Sequence, residues 1–550
     1  MVLLMATSLA PGQRVSGRAE VFKSRSDLVL VPTVVLKSGE PVRGLKARNF
    51  RVLHDNKREE VAVFEEIEAV PARVEPVKAA GRSVQNYAPA SAHQDVVILL
   101  LDFLNSSWTT RARISGYVRS DLVRQFGGTR TPVTVLVLAF RGLVQVHSFT
   151  SDPEDLARGV KTWISGSGTS RALAESPGWS SPLAATEAAR TAAMLERSLA
   201  RPPIAPPSHY AATLLLEKAA MTLESLEQIA NAFRGVPGRR KLIWISTGFP
   251  SLKVLGQEPS ADAETEFRIA DKTARAWRAL SDANIVVYPV DSNGVTNPAY
   301  ADAGTSPGLP AATSFEEPSN SGSMMEAAEK TGGLFCTDLP SRCVDYVQAD
   351  ATHYYLLGFY LHGDTSPGWH KLKVEVDDPG AAVRARDGFA VGELNGRSHE
   401  YHEPVKGLSQ SSEDDDAVMT ALISPLDYTS VPLALQWSIL EKPTGNADVE
   451  LVLTSPPGGV ALSEESGSLN VDFLAFFWPI GRTEGRTFPK TLVTTLAPGG
   501  RNLFSTRGFA FRKQVSLPPD RYELRVLLRD NIAHKIGTVS TTMDLRRRPH

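Results

Sequence analysis

Apolar and polar positions change their rhythm several times along the chain. Residues 28–36, LVLVPTVVL, are β-branched and apolar, and the turn signal SGEPVRGL separates them from the alternating stretch NFRVLHDNKREEVAVFEEI. This pattern predicts two or more strands joined by tight turns, with Asp55-Asn56 standing where a hairpin turns. A small antiparallel β module over 20–70 is the expectation. Residues 71–94 lose the periodicity and gain Pro, Ala and Ser, so they read as a linker.

From residue 95 the pattern becomes strands alternating with helices. DVVILLLDF is a continuous apolar run of the kind required by a strand covered on both faces. Over 109–126, Ile114, Tyr117, Val118, Leu122 and Phe126 share one helical face. TPVTVLVLAF and GLVQVHSFT predict two strands with a hairpin around Arg141-Gly142, and DPEDLARGVKTWI opens a helix with Asp152 as its N-cap. Residues 171–207, rich in Ala, Ser and Pro, read as an insertion. A helix over about 211–233 precedes the strand RRKLIWIST, and another over about 263–283 precedes NIVVYPVD. MMEAAEKTGGLF, ending at Gly332-Gly333, and DATHYYLLGFYL complete a unit over 95–360. This alternation predicts an α/β class: a doubly wound, mostly parallel sheet with helices on both faces. A β extension over 361–395 and a linker over 396–416, marked by SSEDDDA, lead to a β-rich block over 417–550. The α/β unit is thus expected to be flanked by β-sandwich-like domains.

Length and charge narrow the function classes. At 550 residues the chain exceeds what one core usually serves. With 42% hydrophobic and 22% charged residues it has the composition of folded globular protein. The net charge is −2, with Lys and Arg spread along the sequence, so no electrostatic footprint for nucleic acid or an anionic membrane is indicated. No apolar run approaches the roughly 18 residues of a spanning helix. MVLLMATSLAPGQ has the apolar core and small-residue exit of a secretory signal without a basic start. Residues 1–19 are therefore read as a truncated signal, against the alternative of a mobile tail. A secreted, periplasmic or envelope location follows from the first reading. The chain has two cysteines, Cys336 and Cys343. Their proximity fits a disulfide or, equally, two buried thiols, and the absence of a nearby histidine in the sequence argues against zinc there.

In open α/β sheets ligands bind beyond the carboxyl ends of the strands, which directs attention to Asp102, Leu104, Asn105 and Ser106. An Asp followed by short hydroxyl side chains suits a hard cation such as Mg²⁺. The same residues also suit a helix cap before Thr109. A strand, Asp-x-x-x-Ser, a helix, SGSGTSRAL and a strand ending in STG together resemble the order of elements in von Willebrand factor A domains. GEPVRGLKARNFRVLHDNKREEV, YYLLGFYL, HKLKVEVDDPG and VRARDGF are similar to flanking segments of the bacterial VWFA-related proteins best known from acidobacteria, so the resemblance covers most of 28–390. It implies a metal-ion-dependent adhesion site with Asp102, Ser106 and Thr169 as ligands to Mg²⁺ or Mn²⁺. The family's first Ser is replaced by Leu104 and its last carboxylate by Thr247, so the site is degenerate.

The sequence contains no HExxH helix, Walker A loop or CxxC pair. His399-Glu400-Tyr401-His402 has the wrong spacing for two ligands on one helix face and reads as a solvated connector. His353 and His370 flank an apolar strand and read as structural. Tyr354, Tyr355, Phe359 and Tyr360 could form a ligand platform, but alternation favours packing. The expectation is a non-enzymatic, extracytoplasmic adhesion module that binds a protein or cell-surface ligand. A metal-independent envelope scaffold is the alternative.

Overall fold

The computed structural model describes residues 28–68, 83–86, 96–158, 208–249, 263–292, 320–391 and 412–546, apart from short runs inside these spans. The chain opens with β1 (Leu28–Lys37), β2 (Glu40–Pro41), β3 (Phe50–His54), β4 (Lys57–Glu59), β5 (Val63–Glu68) and β6 (Ser83–Gln85). It continues with β7 (Val96–Asp102), α1 (Trp108–Tyr117), β8 (Val133–Ala139), β9 (Gly142–Thr150), α2 (Ser208–Phe233), β10 (Arg240–Ser246), α3 (Ala263–Asp282), β11 (Ile285–Asp291), α4 (Ser321–Thr331) and α5 (Pro340–Thr352). Four strands follow: β12 (His353–Tyr360), β13 (Gly368–Val376), β14 (Ala382–Arg384) and β15 (Gly388–Val391). The last block holds α6 (Ser412–Ile423), β16 (Ala434–Leu440), β17 (Ala447–Ser455), β18 (Ser468–Pro479), β19 (Arg486–Thr495), α7 (Pro498–Arg507), β20 (Phe509–Leu517), β21 (Arg521–Asp530) and β22 (Lys535–Asp544).

The expected α/β class is corrected. Strand outweighs helix, 48% against 27%, and four of the five sheets among the described residues are antiparallel, which makes this a β-sandwich-rich protein and not a doubly wound α/β one. Parallel pairing is confined to one sheet of order β11-β10-β7-β8-β9, in which β9 runs antiparallel. The reason lies in burial. β7, β8 and β10 are buried at every position, so their uninterrupted apolar runs dominate the sequence signal. Several antiparallel strands bury one face only, as β13 and β20 do, and signal weakly by comparison.

Alternate residues of the parallel strands feed two cores. Val96, Ile98 and Leu100 face Leu223, Leu226, Ala276 and Met324 of α2, α3 and α4. Val97, Leu99 and Leu101 face Ile114 of α1 and Val344 of α5.

Strands from both sides of this unit share two further sheets, β14-β1-β12-β5, with β2 on β1, and β15-β13-β3-β4. They close over Val31, Phe50, Tyr355, Phe359 and Phe389. Three segments that read as separate in the sequence, 28–68, 353–360 and 368–391, therefore build one sandwich. Tyr354, Tyr355 and Phe359 are buried, whereas Tyr360 is exposed. β6, within the stretch read as a linker, joins the sheet β20-β17-β16-β6. Opposite it lies β19-β18-β21-β22, and the two enclose Val449, Phe473, Phe477 and Leu524.

Two arginines lock the units together. Arg386 donates to the Leu30 carbonyl and to Ser281 Oγ, joining β1 to α3. Asp350 at the end of α5 pairs with Arg384 and accepts from Tyr288 Oη at 3.0 Å. Among the described residues no helix is long and apolar enough to cross a membrane.

Candidate functional site

Asp102 is the last residue of β7, at the carboxyl end of the parallel strands, and it is wholly buried. Its Oδ2 accepts from Asn105 Nδ2 at 2.8 Å, Ser246 Oγ at 2.6 Å and Trp244 Nε1 at 3.3 Å. Its Oδ1 accepts from the Asn105 backbone N–H at 3.0 Å, closing a turn over Phe103 and Leu104. Burial pushes the carboxyl above its ordinary range, while the bonds from Asn105, Ser246 and Trp244 oppose that rise.

The surrounding side chains extend this network. Asn105 Nδ2 also reaches Thr222 Oγ1 at 2.8 Å, which ties the loop to α2. Thr247 Oγ1 donates to the Asn105 carbonyl at 2.6 Å, and the Gly248 N–H donates to Ser246 Oγ at 2.9 Å. Gly248 takes a left-handed φ of 76°, and a Cβ there would meet the Asn320 carbonyl oxygen at 2.4 Å, so this approach of the β10 loop to α4 requires glycine.

Of the residues expected as ligands, Asp102 and Ser106 lie four positions apart on one turn, and Thr169 lies outside the described residues. Ser106 Oγ donates backwards to the Asp102 carbonyl at 2.6 Å. Leu104 is fully buried in the core shared with α2. The donor set does not fit Mg²⁺ or Mn²⁺. A cation needs lone pairs directed at it, yet three donors already converge on Oδ2 and a fourth on Oδ1. The position of the missing carboxylate is filled by Thr247, whose hydroxyl is engaged with the backbone. What the geometry provides is a buried polar knot that fixes the loops after β7 and β10 to each other and to α2.

Trp244 and Thr222 carried no functional signal in the sequence, because each sits inside a regular element and is recognisable only through its partner. Cys336 and Cys343 form a disulfide, with a Cα separation of 5.9 Å, that ties α5 to the segment bridging β11 at Val290. Residues 1–19, the insertion over 171–207 and the stretch His399–His402 lie outside the described residues.

No protein-family model matches the chain, and no curated protein matches it either.

Proposed function

We propose that this chain is an extracytoplasmic, non-enzymatic binding scaffold that engages a protein or surface ligand without a metal ion at Asp102. The saturated hydrogen bonding of the Asp102 carboxylate carries the reading: four donors occupy the lone pairs that a cation would use and offset part of the cost of burial. The resemblance to VWFA-related proteins supports binding as the activity. The Cys336–Cys343 disulfide supports an oxidising compartment, since such bonds are rare where thiols are kept reduced.

A second reading, a structural envelope scaffold without a dedicated partner, draws on the interlocking of the units. β6 is stitched into the C-terminal sandwich, and Arg386 clamps the N-terminal one to α3.

Calorimetric titration of Mg²⁺ and Mn²⁺ into the wild type and Asp102→Asn tests the metal-free premise, and no heat that differs between the two proteins is expected. Saturable heat abolished by the substitution would restore the metal-dependent site. Cross-linking in intact cells then separates the two readings. The same specific partner on wild type and Asp102→Asn supports binding, and no specific partner on either supports the scaffold.

A further inference from the structure

Far from Asp102, three ligand atoms converge at the tip of the β3–β4 hairpin. His54 ends β3 and pairs in register with Leu372 of β13, which brings it beside His370 on the same strand. Asp55 and Asn56 form the two-residue turn with φ of 47° and 66°, the left-handed geometry that two-residue hairpins favour and that Asp and Asn tolerate. His54 Nε2 lies 3.2 Å from His370 Nδ1, His370 Nδ1 lies 2.8 Å from Asp55 Oδ2, and His54 Nε2 lies 3.6 Å from the same oxygen.

The outer contacts decide which atoms carry protons. His54 Nδ1 faces Glu59 Oε1 at 3.1 Å, and His370 Nε2 faces the Ser366 carbonyl at 2.7 Å. A carboxylate and a carbonyl accept only, so these two ring nitrogens hold the N–H. In neutral imidazoles the lone pairs therefore sit on His54 Nε2 and His370 Nδ1, aimed at each other and at a carboxylate oxygen. With both rings neutral, three acceptors meet with no proton among them.

We propose that His54, Asp55 and His370 bind a divalent first-row cation of the Zn²⁺ class. With bonds of about 2.0–2.1 Å, tetrahedral coordination places ligand atoms about 3.3 Å apart, within the span of the three separations above. One added proton on His370 Nδ1 would have to be divided between Asp55 and His54, whereas a cation meets all three atoms at once. The second contacts repeat the arrangement that orients metal-binding histidines, each ring donating its other N–H to an oxygen. Asp55 is held by its Oδ1, which accepts from the Lys371 N–H at 2.8 Å, leaving Oδ2 for the ion. The histidines are largely buried, 13% and 9% exposed, while Asp55 is 48% exposed, so the fourth position opens to water. Phe389 stacks on His370 at 5.7 Å and walls the inner side. A bound ion would fasten the hairpin to β13.

The test uses the untagged full-length chain, stripped with EDTA and dialysed against Zn²⁺. One Zn²⁺ per chain is expected, removable by EDTA, with a thermal midpoint that rises with Zn²⁺ concentration. Asp55→Asn keeps the left-handed turn and should weaken Zn²⁺ binding at least tenfold in a protein whose circular dichroism is unchanged. His370→Gln should abolish saturable binding, and if it does not fold, Asp55→Asn decides. Wild-type protein that fails to bind Zn²⁺ near neutral pH, or Asp55→Asn that binds it as tightly as wild type, overturns the proposal.

Discussion

Ser246 Oγ donates to Asp102 Oδ2 at 2.6 Å, joining the ends of two neighbouring parallel strands through one short hydrogen bond. In a cation-binding arrangement that oxygen would face an ion. Here it faces a hydroxyl, an amide and an indole, so the protein's own donors occupy the oxygen that an ion would need.

Replacing Asp102 should therefore act on stability. Asp102→Ala leaves four donors without an acceptor, three of them from side chains, and should cost about 3 kcal/mol or more. Asp102→Asn can still accept at the Oδ2 position but turns an N–H toward the Asn105 backbone N–H, so about 1–2 kcal/mol is expected. Urea denaturation of both variants measures the difference, and equal costs would show that the carboxylate is not held by its donors.

The same residue gives a pH dependence with a definite sign. Burial raises the folded-state pKa of Asp102 above its ordinary 3.8. A group raised in this way contributes its full stability below the unfolded value and loses that contribution as pH rises through the folded value. The stability of wild type relative to Asp102→Asn should fall as pH increases from 3.8 upward. Matched denaturation curves across pH measure it, and a flat difference contradicts the raised pKa.

The parallel strands and the hairpin at Asp55-Asn56 were legible because each rests on a local rule: unbroken burial in one case, a two-residue turn in the other. The class of the whole chain was not, since β1 pairs with β12 more than three hundred positions away, and no local pattern encodes that partner. Asp102 was legible by its place at a strand end. The closure of its site was not, because it depends on Trp244, Ser246 and Thr222 arriving from other elements. His370 read as structural for the same reason: only register with β3 brings it to His54.

Asn86 shows how far a tertiary partner can override composition. It lies in a Pro- and Ala-rich stretch, yet its Nδ2 donates to the Tyr428 and Val431 carbonyls at 2.7 and 3.0 Å, and its Oδ1 accepts from the Leu433 N–H at 2.7 Å. Asn86→Ala strands one buried N–H and removes the donor serving two carbonyls, which should cost about 2 kcal/mol. Because the bonds hold β6 against the last domain, amide exchange in β16 should accelerate while β7 and β10 stay protected. Acceleration spread evenly over all sheets would contradict a local staple.

The Cys336–Cys343 bond closes a loop of only seven positions, so its effect on the unfolded chain is modest, about 2 kcal/mol by loop entropy. Its structural leverage is larger than that loop suggests. The Cys336 N–H donates to the Pro289 carbonyl at 2.9 Å and the Asp291 N–H donates to the Cys336 carbonyl at 3.0 Å, so the bond fixes α5 to the end of β11. α5 in turn carries Asp350, the partner of Arg384 and Tyr288. Reduction should therefore loosen the junction between the parallel sheet and the N-terminal sandwich. The denaturation midpoint should fall on adding reductant to wild type and should match that of the Cys336→Ser, Cys343→Ser double variant, which reductant should leave unmoved. A wild-type midpoint insensitive to reductant would mean that buried packing around α5 holds this junction without the covalent bond.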